Sequence, residues 1–260
     1  MRRFVLFVCS VLIISVNSCK KNNDMQEPGN PASAHIKSMI LTDSTGHDTI
    51  GLFFYQYDSQ GRITKMTTQT SPVSVASVHN YVYYPTSIFD NISYGYNLHW
   101  GRIIYTLNPS GLAMAEMHVT YGLPGDSGVQ LTVENKFDAD GYRIEENSYL
   151  RSDTIRYSWM IAQGNCLSLE VWNSLHGSQP MAETYEHFPN TYNTLGNQNL
   201  GMMFMGKSDI NLTKSSAVAS TIPLSATYSY TFDTGNRVIK KSVRGNGLTV
   251  GSLNYLITYY

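Results

Sequence analysis

Cysteine and charge are both scarce in this chain of 260 residues. It contains three cysteines and 14 % charged residues, and 18 Lys and Arg are balanced by 19 Asp and Glu. So few cysteines exclude a disulfide-rich scaffold, and the balanced charge provides no basic surface of the kind that binds nucleic acid. Tyrosine, in contrast, occurs 19 times. Many tyrosines with few charges favour a broad, half-buried β-sheet over a helical bundle.

Long apolar runs are also missing, apart from one at the N-terminus. Two arginines precede the run from Phe4 to Ile14, and the small residue Ser18 stands just before Cys19. These features predict a secretory signal, because a membrane-spanning helix needs about 18 or more apolar residues. The sequence from Val16 to Cys19 is similar to a lipobox, so we expect Cys19 to be acylated after cleavage. The alternative is an ordinary signal peptide, and both alternatives predict an exported mature chain.

The sequence divides into three segments. Residues 1–19 are the predicted lipoprotein signal peptide, and the polar residues 20–35, rich in Asn and Pro, predict a flexible tether. Residues 36–260 are long enough for one sizeable core and contain no second linker, so we expect a single domain. Cys166 is the one cysteine of that domain, and we expect it to be a small buried residue rather than a nucleophile.

A recurring pattern identifies elements of this domain. In each copy, aromatic and apolar residues lead to an Asp or Asn, and a Gly follows within three residues. The Asp or Asn side chain stabilises the start of a turn, and Gly adopts the positive φ that such a turn requires. Each copy therefore predicts one β-hairpin. The four copies are residues 53–63, 105–112, 136–144 and 228–238.

Further alternating stretches lie between these hairpins, so we expect an all-β domain. The expected architecture is a curled antiparallel meander of about ten strands that stays open as a half-barrel or wrap. One short helical segment is expected near residues 198–206. Its apolar side chains would plug the concave side or one end of the sheet. They are Leu200, Met202, Met203, Phe204 and Met205.

Several motifs lack the context that their chemistry needs. Residues Gly201–Ser208 match the phosphate-binding pattern G-x-x-x-x-G-K-[ST], but no apolar strand precedes them and no helix follows. The seven histidines never form a pair at metal-ligand spacing, and the acidic segment around Asp138 departs from a calcium loop. We therefore expect no nucleotide, no metal and no other cofactor. Glu134 and Glu145 could flank a glycosidic bond, so a glycoside-active enzyme is the third and least favoured alternative.

The chain also resembles known proteins. Residues 55–63 resemble the tyrosine-aspartate repeat of large bacterial shell-forming toxins, although four copies are too few for a shell. The chain is more similar to envelope lipoproteins of the Bacteroidetes type that are built from such hairpins. The shared features are residues 206–212, the aromatic hairpin strand at Tyr228–Asp233 and the aromatic terminal strand at Tyr255–Tyr260. This resemblance implies an envelope-anchored, mainly β domain and supplies no catalytic residues.

These observations favour a non-catalytic binding protein that is held in the cell envelope by a lipid anchor at Cys19. The candidate ligand-binding residues are Trp100, Trp159 and Trp172, because such rings stack on the apolar faces of sugars or grip a peptide. The alternative is a scaffold or assembly partner of an outer-membrane complex, which would use a strand edge or an apolar patch. We expect no enzymatic activity and no nucleic-acid partner. The outer membrane is the expected location, on its periplasmic or its cell-surface face.

Overall fold

The structure, a computed structural model, describes residues 35–69, 76–95, 98–121, 128–150, 153–174, 180–195, 198–219, 224–246 and 252–260. All of these residues belong to one compact unit, which extends from Ser33 to Tyr260. The predicted signal peptide and Cys19 lie outside the described residues, and so does the predicted tether except for His35. Among the described residues, no helix is long and apolar enough to cross a membrane.

Sixteen β-strands form one antiparallel sheet, in which each strand pairs with its neighbours in the chain and the last strand pairs with the first. Their bounds are β1 Ile36–Asp43, β2 Thr49–Tyr57, β3 Ile63–Gln69, β4 Ser77–Tyr83, β5 Ser87–Tyr94, β6 Leu98–Leu107, β7 Ala113–Thr120, β8 Gly128–Phe137, β9 Arg143–Leu150, β10 Asp153–Ala162, β11 Asn165–Asn173, β12 Met181–Tyr192, β13 Asn211–Ala219, β14 Leu224–Phe232, β15 Val238–Asn246 and β16 Ser252–Tyr259.

The sheet is a closed barrel, so the predicted open half-barrel or wrap is wrong, and the predicted number of strands is too low. Closure depends on β1 and β16, where Ser38–Asp43 pair with Leu253–Thr258. The hydroxyl oxygens of Ser38 and Thr258 lie 2.7 Å apart across this seam. Closing the sheet removes the two unpaired edges that an open wrap would expose. An alternating strand pattern defines two faces but does not show whether the outermost edges meet.

Tight turns with one hydrogen-bond pattern lie at one end of the barrel. Between β2 and β3, the amide of Asp58 donates to the carbonyl of Arg62, and the Asp58 carboxylate accepts from the amides of Gln60 and Arg62. Gly61 adopts a φ of 76° and donates to the carbonyl of Asp58. The same bonds recur at Asn108–Leu112, Asp138–Tyr142 and Asp233–Arg237. All four segments marked by the sequence pattern are therefore turns of antiparallel hairpins.

The connection between β12 and β13 covers this same end. Its described residues, 193–195 and 198–210, are called the plug here. A helical segment is expected there from the sequence, and the structure has a left-handed turn at Gln198–Gly201, with φ of 48° at Asn199, and a single 3-10 turn at Met203–Met205. Polar contacts of the plug reach turns on different sides of the barrel: Lys207 to Gly141, Ile210 to Gly164 and Thr194 to Asn236. One segment contacts turns so far apart because it lies across the mouth of the barrel.

The plug identifies the inner face of the wall. Phe204 is 4 % exposed, and its ring lies 4.8 Å from the ring of Tyr105 and 6.5 Å from those of Tyr81 and Tyr83. These tyrosines therefore point into the barrel, and the residues that alternate with them point outward.

The hydrophobic core is confined to the plugged end. Sixteen strands enclose an interior that wall side chains alone do not fill, so the plug supplies apolar packing partners. Leu200, Met202 and Met205 pack against the core, whereas Met203 is 45 % exposed. Besides Phe204, the buried members lie within three residues of a strand end on the plugged side: Ile36, Tyr55, Ile63, Tyr81, Ile88, Tyr105, Ala113, Leu212, Val238 and Ile257.

Candidate ligand-binding site

A cavity of about 580 Å³ lies between the plug and the inner face of strands β9 to β13. It combines aromatic rings and apolar side chains with polar and charged groups in similar number, so it offers both kinds of surface to a ligand. The wall contributes Tyr142, Arg143, Trp159, Ile161, Cys166, Tyr185 and Thr213, and the plug contributes Asn193, Asn199, Leu200, Met202, Met205, Lys207, Ser208 and Asp209.

A β-bulge places Arg143 on the cavity side of the wall. Lys136 pairs with Glu145, but Phe137 pairs with Arg143, so Ile144 is an extra residue in β9. Phe137 faces inward, because its ring lies against the plug at Gly206. Arg143 shares that inner face as its cross-strand partner, and Glu145 points outward.

The indole ring of Trp159 is held by two neighbours on the inner face. The Arg143 guanidinium lies 4.7 Å from the ring centre, and the ring of Tyr157 stacks on the indole at a centroid distance of 5.9 Å. Arg143 is fixed in turn by Glu146, to which it donates a hydrogen bond of 2.7 Å. The cation–π contact and the ion pair orient the ring before any ligand arrives. Trp159 is therefore a preorganised part of the cavity wall.

Lys207 brings a positive charge to the edge of the cavity. Its ammonium group lies 5.5 Å from the centre of the Tyr142 ring, and its backbone amide donates to the carbonyl of Gly141. Within the described part of the chain, no carboxylate forms an ion pair with Lys207. The side chain is therefore available to an acidic group on a ligand.

The segment that matches the phosphate-binding pattern forms part of the plug and contains the 3-10 turn Met203–Met205. Gly201 and Gly206 adopt φ values of 85° and 91°. A Cβ atom at either position would lie 2.8 Å from a ring carbon, of Tyr57 in the first case and of Phe137 in the second. Close packing against the barrel therefore requires both glycines.

Asp209 joins the plug to the wall of the cavity. Its carboxylate accepts a hydrogen bond of 2.7 Å from the amide of Cys166 and lies 3.2 Å from Nε2 of His187. Burial, assisted by the charge of Asp209, raises the pKa of the Cys166 thiol to about 12. Burial also raises the pKa of Tyr185. At neutral pH the cavity therefore presents a protonated thiol and a neutral phenol, which are poor nucleophiles.

The three tryptophans singled out from the sequence have different positions. Trp159 pairs with Leu169 on the inner face of the wall, and Trp172 pairs with Arg156 on the outer face, where it is 40 % exposed. The side chain of Trp100 lies outside the described part of the structure. Trp159 and Trp172 are therefore on opposite faces and do not contact a common ligand.

Arg143 and Lys207 are site residues that the sequence pattern did not identify. The turn that precedes Arg143 is the one sequence signal for its position, because hairpins of this kind often carry a bulge. No spacing rule connects Lys207 to this wall, since the plug brings it there from a distant part of the chain.

The outer face of the same strands carries ion pairs. Lys136 and Arg156 donate to the carboxylate of Glu145 over 2.6 and 3.0 Å. Glu134 also points outward and accepts a hydrogen bond from the hydroxyl of Tyr149. The two carboxylates considered for glycoside chemistry thus lie on the outside of the barrel, and neither lines the cavity.

A second group of polar side chains is buried in the wall between β4 and β8. Asp90 is 1 % exposed and lies 2.7 Å from Nδ1 of His79, and burial raises the pKa of Asp90 despite this contact. Glu116 accepts a hydrogen bond of 3.0 Å from Asn135 and lies 3.3 Å from Nε2 of His118. Across the described ranges, no three His, Cys, Asp or Glu side chains are grouped so that they could hold a metal ion.

Two solved structures have a similar fold. A porin-like protein from Bacteroides uniformis aligns with a TM-score of 0.65 and 14 % sequence identity, over 86 % of this chain and 98 % of its own. A porin-like protein from Bacteroides vulgatus aligns with a TM-score of 0.58 and 9 % identity, over 88 % of this chain and 99 % of its own. No family model and no curated protein matches the chain. At such low identity the likeness concerns the fold, and the chain shares its barrel architecture with these porin-like proteins.

Proposed function

We propose that this chain is an envelope protein, anchored by a lipid at Cys19, whose barrel stands in water and binds a small ligand without catalysis. The observation that carries this proposal is the contrast between the two faces of β9 to β11. Their inner face holds Trp159 and Arg143 in the cavity, and their outer face carries the ion pairs of Glu145.

The N-terminal sequence and the fold support the location. Residues 1–19 have the positive start, the apolar core and the terminal cysteine of a lipoprotein signal. The two solved barrels with a similar fold come from Bacteroides species and are described as porin-like. Both features favour an outer-membrane protein of such a bacterium.

The outer surface favours a barrel surrounded by water over one embedded in lipid. A membrane barrel carries an apolar outer band about 25 Å tall, and an Arg or Lys at its centre costs about 2–4 kcal/mol. Here Lys136 and Arg156 lie on the outer face with side chains 62 % and 53 % exposed. Lys214 and Glu186 form another outer pair, with 54 % and 66 % exposure. The lipid anchor would therefore provide the attachment to the membrane.

Exchange of residues 1–19 for the signal peptide of a secreted, non-lipidated protein tests this arrangement. We expect the protein to move from the membrane fraction to the soluble fraction after a high-salt wash, which releases charge-dependent surface binding, and to remain monodisperse without detergent. The unaltered chain, which would incorporate labelled palmitate, is the control. Retention of the exchanged protein in the membrane after the salt wash, with release by detergent alone, would show that the barrel itself is embedded.

The cavity favours a ligand that combines an apolar ring face with an acidic group, such as an acidic sugar. Trp159, Tyr185 and Tyr142 supply aromatic surface, and Lys207 supplies a cation without a carboxylate partner in the described structure. Sugars bind to aromatic surfaces through their apolar faces, and a cation at the edge of the cavity pairs with an acid.

Calorimetry and thermal-shift measurements on the soluble form, with acidic and neutral oligosaccharides, peptidoglycan fragments and peptides, test this site. We expect Trp159→Ala to abolish saturable binding and Trp172→Ala to leave it unchanged, because the two rings lie on opposite faces. Lys207→Ala should reduce the preference for acidic over neutral ligands. Equal losses in both tryptophan variants, with both still folded, would contradict the cavity as the binding site.

An assembly role is the second candidate, and one outer surface favours it. The cross-strand partners Val82, Phe89, Ile104 and Met117 form an outward apolar row across β4 to β7. Tyr84, 48 % exposed, contacts Phe89 at a ring distance of 4.9 Å. If no ligand shifts the melting temperature, crosslinking in cells from a photoreactive residue at position 82 would search for a protein partner at this row.

A further inference from the structure

Charge is distributed unevenly around the barrel wall. Strands β14, β15, β16, β1, β2 and β3 are consecutive in the wall, and their one acidic residue is Asp43. The carboxylate of Asp43 is engaged by its own loop, since it accepts hydrogen bonds from the Thr45 hydroxyl and the His47 amide. The basic residues that point outward from the same strands are Lys37, Lys65, Lys240 and Arg244, whereas Lys241 lies on the inner face, 4.9 Å from the ring centre of Tyr228.

Strands β8 to β13 have the opposite balance. Their acidic residues outnumber their basic residues Lys136, Arg143, Arg156 and Lys214. The acidic residues are Glu134, Glu145, Glu146, Asp153, Glu170, Glu183 and Glu186. One side of the barrel is therefore basic and the other is acidic.

The basic side also carries an outward apolar row. Ile257 is buried in the core, so its neighbour Leu256 points outward, where it is 41 % exposed. The register places Lys240, Leu256, Ile40 and Leu52 side by side on four adjacent strands. Phe54, two residues beyond Leu52 on the same outer face, is 46 % exposed.

Three lysines surround this row, on β15, on β3 and at the start of β1. Lys240 ends the row on β15, and Lys65 lies on β3, opposite the exposed Gln56. Lys37 occupies a bulge at the base of β1 and lies 5.7 Å from the ring centre of Tyr260, which is 61 % exposed. We call the outer surface of Lys37, Lys65, Lys240, Leu256, Ile40, Leu52 and Phe54 the basic face.

We propose that the basic face docks on an anionic lipid surface. This inference rests on the proposed envelope anchoring, because the chain that would carry the lipid enters the barrel at this face, where β1 begins at Ile36. Residues 20–35 span at most about 55 Å when fully extended, so an anchored barrel stays within that distance of the bilayer. Apolar side chains at the headgroup boundary and lysines near anionic headgroups are the two contributions that hold proteins on such surfaces.

A second copy of the chain is the competing occupant, since its acidic side would complement the basic face. The lipid surface is favoured for two reasons. The predicted lipid signal precedes β1 in the chain, and β1 itself carries Lys37 and Ile40 of the basic face. The experiment distinguishes the two occupants directly.

Vesicle sedimentation of the soluble form, residues 20–260, tests the proposal. This form contains the whole barrel, in which every strand has two partners, so it folds without residues 1–19. We expect it to bind vesicles that contain phosphatidylglycerol and not vesicles of pure phosphatidylcholine. Lys65→Glu combined with Lys240→Glu should weaken binding by at least about tenfold. Leu256→Ser combined with Phe54→Ser should also weaken it, while leaving the melting temperature close to that of the parent.

The matched control is Lys136→Glu combined with Lys214→Glu, which makes the same change of net charge on the acidic side. We expect this control to bind vesicles as the parent does. An equal loss in the control, or no vesicle binding by the parent, would overturn the proposal. Dimerisation of the parent that the basic-face variant abolishes, without vesicle binding, would identify a second copy as the occupant. Because the soluble form lacks the anchor, a negative result would leave the palmitate-labelling and ligand tests of the proposed function unaffected.

Discussion

The two ends of the barrel differ in how they are packed. At the plugged end, strands begin or end in buried residues such as Ile36, Ile63, Ala113 and Val238, each 0 % exposed. At the far end, none of the terminal strand residues whose side chains the structure describes is buried, and Leu150 and Met181 are 43 % and 49 % exposed. The same sixteen strands thus form a core at one end and a solvated rim at the other.

This difference shows how a wide barrel stabilises itself. Sixteen strands are too many for wall side chains to meet across the interior, so a core forms where another segment of the chain enters. The plug is that segment, and Phe204 is its buried centre. The far end needs no such segment, because antiparallel hydrogen bonds to both neighbouring strands already satisfy the backbone N–H and C=O groups there.

Removal of the Phe204 side chain should give the largest difference in stability between the two ends of the barrel. Phe204→Ala takes away a ring that contacts Tyr81, Tyr83 and Tyr105, and we expect a loss of about 3–5 kcal/mol in the free energy of unfolding. Met181→Ala at the far end should cost about 0.5 kcal/mol or less. Denaturant unfolding followed by tyrosine and tryptophan fluorescence measures both. Similar losses in the two variants would mean that the plug does not carry the core.

Alanine substitutions at two glycines, one at each end of the barrel, should give a smaller difference in stability. At Gly206, φ is 91° and an added Cβ would lie 2.8 Å from a ring carbon of Phe137, so Gly206→Ala should cost about 1–3 kcal/mol. At Gly128, at the far end, an added Cβ meets no atom within 4 Å, so Gly128→Ala should be nearly neutral. The same denaturant experiment applies. A neutral Gly206→Ala would show that the plug shifts freely against the β8–β9 turn.

Substitution of Asp90 should give the smallest effect, which concerns the pH dependence of stability. Burial raises the folded-state pKa of Asp90 above its unfolded value, so the folded state holds this proton more tightly. Its contribution to stability is complete below the unfolded pKa and is lost as the pH rises through the folded pKa. The hydrogen bond from His79 and the proximity of His118 oppose this shift in the pKa of Asp90.

We therefore expect Asp90→Asn to flatten the decline of the melting temperature from acidic to neutral pH, by a few degrees at most. Thermal melts at a series of pH values compare the variant with the parent. Asp138→Asn, at an exposed turn, is the control for a lost surface carboxylate. An unchanged slope in Asp90→Asn would show that Asp90 is ionised across this range.

Local structure was predictable where short-range chemistry decides it. The Asp-to-Gly spacing identified the turns at Asp58, Asn108, Asp138 and Asp233, because the side-chain and backbone bonds of such a turn lie within five residues. Strands β5, β12 and β13 adjoin none of these turns, so the expected number of strands was too low. Closure of the barrel was not predictable, because it depends on contacts between residues about 220 positions apart.

The candidate site was predictable only in part. The sequence pattern does not distinguish Trp159 from Trp172 as a binding residue. The register of the β10–β11 hairpin assigns them to opposite faces. Arg143 reaches Trp159 because of the bulge at Ile144, and Lys207 reaches the cavity because the plug folds across the barrel mouth. Both arrangements depend on tertiary structure, which neither composition nor periodicity encodes.

The seam between β1 and β16 also has a consequence for how the chain folds. These two strands lie at opposite ends of the barrel sequence, so one edge of β1 has no partner in the barrel until residues 252–259 pair with it. Until then the sheet has two open edges, which are the surfaces that recruit strands from other chains. The other pairings join strands that are neighbours in the sequence, and the pairing of β1 with β16 is the long-range contact that closes the fold. A chain that stops before β16 therefore cannot reach a state without open edges, however stable its hairpins are.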